Sequence, residues 1–90
     1  MNIDYTVNIW REDEQFIAHA MPLDVASSGQ TPDDARRALD EAVRGFLATC
    51  ADMGTLRHVL EDAGYRLNEA DVWQSPQWIA VERREAALTG

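Results

Sequence analysis

Ninety residues make one domain. A domain of that size buries only about 60% of its unfolded surface, which favours pairing with a copy of itself or with a partner. A net charge of −8, carried by 16 acidic residues against 8 basic ones that are all Arg, repels phosphate backbones and lipid headgroups. Nucleic acid and membrane surfaces are therefore poor direct partners; the acidic charge serves solubility or favours a basic protein partner. The hydrophobic fraction of 46% fits a folded chain rather than a disordered one.

The first segment alternates: Ile3, Tyr5, Val7 and Ile9 point one way, and Asp4, Thr6, Asn8 and Trp10 the other. That period predicts a half-buried strand. Glu12-Asp13-Glu14 is a charged turn, and Gln15 to Met21 reads as a second strand, with Phe16, Ala18 and Ala20 against Ile17, His19 and Met21. So short a connection makes the pair an antiparallel hairpin. Pro22 interrupts the run, Leu23 to Ser28 reads as a third strand, and Gly29-Gln30 turns the chain out of it.

Thr31-Pro32-Asp33-Asp34 is a helix start, with Thr31 as N-cap, Pro32 at the first helical position and acids in the first turn. Asp34 takes the position from which a side chain can bond back to the cap. Ala35, Ala38, Leu39, Ala42, Val43, Phe46, Leu47 and Cys50 follow the helical rhythm to a stop at Gly54. Arg36/Asp40, Arg37/Glu41 and Asp40/Arg44 are spaced for ion pairs on the wet side. Gly45 in mid-helix predicts a close approach by another element. Thr55 caps a second, shorter helix with Leu56, Val59, Leu60 and Ala63 as its apolar face, ended by Gly64. Beyond it, Asn68 to Asp71 and Gln74 to Gln77 read as turns, and Trp78 to Val81 as an apolar strand. Glu82 to Leu88 has helical propensity.

Chemistry-bearing residues are sparse. His19 and His58 stand in no acid–base or metal-ligand spacing, and Cys50 continues the apolar helical face as a small core side chain. Ser27-Ser28-Gly29 lacks the glycine pattern of a nucleophile elbow, there is no phosphate-binding glycine loop, and Glu12 to Glu14 lacks a calcium loop's alternating oxygens. The expectation is a protein without catalytic residues, cofactor or metal. A lone cysteine makes no internal disulfide and suits the cytoplasm. No basic segment followed by an apolar run marks a signal peptide, and no apolar stretch approaches the ~20 residues of a membrane span. Trp10, Trp73 and Trp78 are candidates for an interface, or for completing a thin core.

From Ser27-Ser28-Gly29-Gln30-Thr31-Pro32-Asp33-Asp34-Ala35 through Asp40-Glu41-Ala42-Val43 and Gly45-Phe46-Leu47, the chain resembles the HicB-type antitoxins. Tyr5-Thr6-Val7-Asn8-Ile9 and Phe16-Ile17-Ala18 match that family's first hairpin. Met53-Gly54-Thr55-Leu56 to Ala63-Gly64-Tyr65 resembles a solitary, longer-tailed branch of it. Leu23-Asp24-Val25-Ala26 replaces the family's Leu-Pro-Gly-Cys, and Ala38 its mid-helix Asn. The resemblance implies an α+β fold of partial ribonuclease H-like type, β-β-β-α-α-β: an antiparallel three- to four-stranded sheet with one long helix packed on one face, Trp78 to Arg83 being a strand. Many members add a C-terminal DNA-binding module, and the expectation here is a short form without one; the resemblance implies a partner, the small basic mRNA-degrading toxin HicA, which such antitoxins bind and silence.

Three functional readings follow: an antitoxin-type protein-binding domain, an orphan oligomeric domain of the same kind without a toxin, and a small enzyme using His19 or His58. A concave pocket holding a histidine against a carboxylate would favour the third. The expected partner surface is Trp10 with Glu12, Asp13 and Glu14, the acids steering a basic protein toward the aromatic anchor. Ile3, Tyr5, Val7 and Ile9 are expected to face Leu39, Val43, Phe46 and Leu47. A homodimer or larger assembly is expected to cover the second sheet face at Trp10, Ile17 and Met21.

Overall fold

A computed structural model describes residues Met1 to Gly90 and shows an α+β domain. Strands β1 (Thr6–Glu12), β2 (Gln15–Met21) and β3 (Val25–Gly29) form an antiparallel sheet in the order β1-β2-β3. Helices α1 (Pro32–Asp52) and α2 (Leu56–Asp62) follow, and then a small two-stranded ribbon of β4 (Arg66–Leu67) and β5 (Trp73–Gln74). The first hairpin closes on a two-residue turn, since Glu12 pairs with Gln15. Asp13 takes φ 54° there, a left-handed conformation that Asp tolerates better than most residues. The second hairpin turns through Pro22, Leu23 and Asp24; Leu23 folds back into the core and Asp24 takes φ 61°.

The register fixes the two faces. Val7 pairs with Ala20 and Ile9 with Ala18, so Ala18 and Ala20 lie on the helix side, fully buried. Thr6, Asn8 and Trp10 pair with Met21, His19 and Ile17 on the open side. The alternation anticipated for β2 is thus present, residue for residue.

Helix α1 starts as its sequence dictates: the Thr31 side chain accepts from the Asp34 amide at 3.0 Å, with Pro32 at the first position. The Asp34 carboxylate does not complete a reciprocal cap. It pairs with Arg37 at 2.6 Å, and Asp33 pairs with Arg36 at 2.5 Å. Both arginines therefore reach back toward the positive helix start, where the acids sit, instead of forward to Asp40 and Glu41. Asp40 instead accepts a hydrogen bond from the Tyr5 hydroxyl.

Leu39, Val43 and Ala35 form the buried stripe of α1, joined by Leu60 of α2, Tyr65 and Trp73. The expected facing of β1 against this stripe holds in part. Ile3, Tyr5 and Ile9 pack on the core, but Val7 is 38% exposed, because α1 lies over β3 and β2 rather than over β1. The cause is local. The connection from β3 into α1 is two residues, and Gly29 lets the first helical turn sit directly on the strand: a Cβ there would lie 2.6 Å from the Ala35 nitrogen. Gly45, by contrast, faces open space, so the close approach expected there does not occur.

Three tail expectations are corrected. The chain from Ser75 onward has no regular secondary structure, so Trp78 to Arg83 is not a strand of the sheet, Glu82 to Leu88 is not a helix, and Gln74 ends β5 instead of opening a turn. The final strand pair is instead the short β4–β5 ribbon around the Asn68–Asp71 turn, where the Asn68 carboxamide oxygen accepts from the Ala70 and Val72 amides. No helix is long and apolar enough to cross a membrane.

Candidate protein-binding surface

A pleated strand presents every second residue to the same face. One layer of helix covers only one face of this sheet, so Trp10, Ile17, His19 and Met21 stay on the open side. Trp10 is 43% exposed and meets the His19 ring edge-on, with centroids 6.1 Å apart. His19 is held from its other side by Asp24, Nε2 to Oδ1 2.6 Å, since the tight β2–β3 turn brings Asp24 back across the strand end.

The hairpin tip carries Glu12, Asp13 and Glu14, all exposed. The Arg11 guanidinium donates to the Asp13 carbonyl at 3.3 Å, which clips the turn without neutralising a carboxylate. None of the three acids forms an ion pair within the chain. Glu12 lies on the same face of β1 as Trp10, by alternation. The four residues singled out in the sequence thus sit on one edge strand and its turn, with the aromatic ring on the face and the acids at the end.

The open face also meets a segment that the sequence did not connect with it. Trp78, Ala80 and Val81 line a cleft of about 410 Å³ with Thr6, Asn8, Trp10, His19 and Met21. The acids of the turn stand outside this cleft. What brings the tail there is Asp4: its carboxylate accepts from the Ser75 hydroxyl at 2.5 Å, and its carbonyl from the Tyr65 hydroxyl. The apolar run Trp78 to Val81 was the signal in the sequence, but nothing local in it says which face it meets.

Of the tryptophans, Trp73 completes the core at 8% exposure, while Trp10 and Trp78 remain about half open. Cys50 is buried, as its place on the α1 stripe indicated. His58 pairs with Asp62 at 3.2 Å on the exposed side of α2. No group of three or more His, Cys, Asp or Glu side chains stands close enough to hold a metal ion. Comparison with protein-family models, with curated proteins and with solved structures finds no match.

Proposed function

We propose that this chain is an antitoxin-type protein-binding domain of HicB-like kind, which binds and neutralises a small basic HicA-like mRNA-degrading toxin in the cytoplasm. The observation that carries the reading is a half-exposed tryptophan on an open sheet face beside three carboxylates that have no partner within the chain. Tryptophan is enriched at interface hot spots, and unpaired rim acids speed encounter with a basic surface more than they add affinity. The test is surface plasmon resonance against the product of the neighbouring gene. Glu12 and Glu14 are reversed to Lys, and Asp13 is kept for its left-handed backbone. Association should slow about tenfold, with dissociation changed less, and the difference should shrink as salt rises. Unchanged association rates would remove the steering role, and absence of binding would remove the toxin and leave the orphan domain.

A second reading has one observation behind it. His19 held by Asp24 at 2.6 Å on the margin of a cleft has the form of a general base oriented by a carboxylate. Against it, the His19 ring makes no hydrogen bond to a hydroxyl or thiol that it might activate, and the one thiol, Cys50, is buried in α1. Turnover of a model ester that His19→Gln abolishes, with toxin binding unaffected, would establish it.

A further inference from the structure

We propose that the cleft lined by Trp10 from the sheet and Trp78 from the tail is the pocket for an arginine side chain of the basic partner. The inference rests on the reading above for the partner's class, and adds which of its side chains is anchored and where. Indole faces carry partial negative charge, so a cleft lined by two tryptophans attracts cations as well as apolar groups. Trp10 is 43% and Trp78 44% exposed, so ring surface of both is open to a ligand. Met21, Ala80 and Val81 add apolar lining, and Asn8 is polar without charge. The space of about 410 Å³ is that of a small-ligand site.

The fixed charge beside the cleft has one sign. Asp24 holds His19 through Oδ1, but its other oxygen has no partner within the chain and its side chain is 84% exposed. Glu12 forms no ion pair either, and follows Trp10 on the same face of β1 two residues, or about 7 Å, along. That is within one Debye length at physiological salt, so its charge is felt in the cleft. Arg11, the one arginine in the three strands, pairs with Phe16 and belongs to the opposite face. Arg83 and Arg84 do not line the cleft, and Glu82 and Glu85 flank them.

Chemistry then separates the occupants. An anion is repelled. A neutral apolar group fills the cleft but makes no use of the carboxylates. A lysine ammonium matches the charge, but it is strongly hydrated, and apolar walls replace none of that water. A guanidinium is planar and weakly hydrated. It stacks on an indole face and keeps N–H groups free for a carboxylate such as Asp24.

The test uses the full chain and three hexapeptides in which Gly alternates with Arg, with Lys, or with citrulline, the uncharged counterpart of Arg. Two-dimensional NMR follows the tryptophan indole N–H signals during titration. The Arg peptide should move those of Trp10 and Trp78 and leave that of Trp73, which is 8% exposed, in place. It should bind about threefold tighter than the Lys peptide. The citrulline peptide should bind more weakly than either. Trp10→Leu and Trp78→Leu each change a half-exposed ring, so circular dichroism should match the wild type while Arg affinity falls to the Lys level. Glu12→Gln/Asp24→Asn, with Asn tolerating the left-handed backbone at 24, should weaken both charged peptides alike. Equal binding of the Arg and Lys peptides would overturn the pocket. So would a citrulline peptide as tight as the Arg one, an Arg preference that survives either Trp variant, or indole signals that do not move. Each of these leaves the toxin reading to its own test. Absence of toxin binding with the arginine preference intact would instead remove the toxin and keep the pocket.

Discussion

A Cβ at Gly29 would meet the Ala35 nitrogen at 2.6 Å and the Asp34 Cβ at 2.7 Å, while a Cβ at Gly45 would meet nothing within 4 Å. The two glycines should therefore respond to alanine in opposite directions. Gly29→Ala pushes the start of α1 off β3 and should cost about 1–3 kcal/mol, as overpacking does. Gly45→Ala restores helix propensity at an exposed position and should add about 0.5–1 kcal/mol. Urea unfolding of both variants checks the pair. The two tyrosines give a pH signature. Tyr5 and Tyr65 are each pushed up to about 12, first by burial; the Asp40 hydrogen bond and charge add for Tyr5, and the Asp4 charge for Tyr65. An unfolded tyrosine titrates near 10, so both phenols hold their protons more tightly in the fold. Their contribution to stability is complete below pH 10 and drains away between pH 10 and about 12. Phenolate absorbance of the native protein should rise near pH 12, and the urea midpoint should fall across that window. The fall should be smaller in Tyr5→Phe and Tyr65→Phe.

At the scale of elements, depth along α1 sets the cost of truncation. Leu39 is fully buried and Phe46 only partly. Leu39→Ala should cost about 2–5 kcal/mol, and Phe46→Ala less than the ~3–5 kcal/mol of a fully buried aromatic. Chemical denaturation ranks them, and a larger loss at Phe46 would contradict the packing. The elements that could be read in advance are those whose information is local. Strand β2 follows from a period of two, and α1 from its cap, its proline and its stripe. The placement of α1 over β3 and β2 was not readable, because it depends on a contact made by the missing side chain of Gly29. The β4–β5 ribbon has two residues per strand, too few for any period to show. The tail was misread because an apolar run specifies burial without specifying what buries it.

The whole molecule is a covered layer with an uncovered one. Its extents are 47 × 32 × 23 Å, and its last sixteen residues join no sheet. On the covered side the core is continuous from Ala18 to Trp73. On the other side lie Trp10, His19 and Met21, with Trp78 drawn over them. The candidate surface was half legible on this scale. Trp10 and the acids were visible because aromatic and charged residues next to a turn cannot all be buried. The His19–Asp24 pair and the cleft were not, since both depend on a turn and a tail folding back. Charge is placed unevenly along the chain: all of the net −8 falls on residues 1–74, because Glu82 and Glu85 cancel Arg83 and Arg84.

Asp4 has a consequence for the order in which the chain can assemble. It meets Tyr65 and Ser75, partners 61 and 71 residues away, whereas the hairpins and α1 are built from neighbours. Local contacts form early, and those that close long loops form late. On the ribosome, residues 6–52 can settle into sheet and helix while Asp4 still has nothing to hold. Tyr65 gives Asp4 its first distant anchor, and Ser75 adds the second, which fixes where the tail departs. Asp4, which precedes the sheet, is thus fixed after the sheet and helix that follow it.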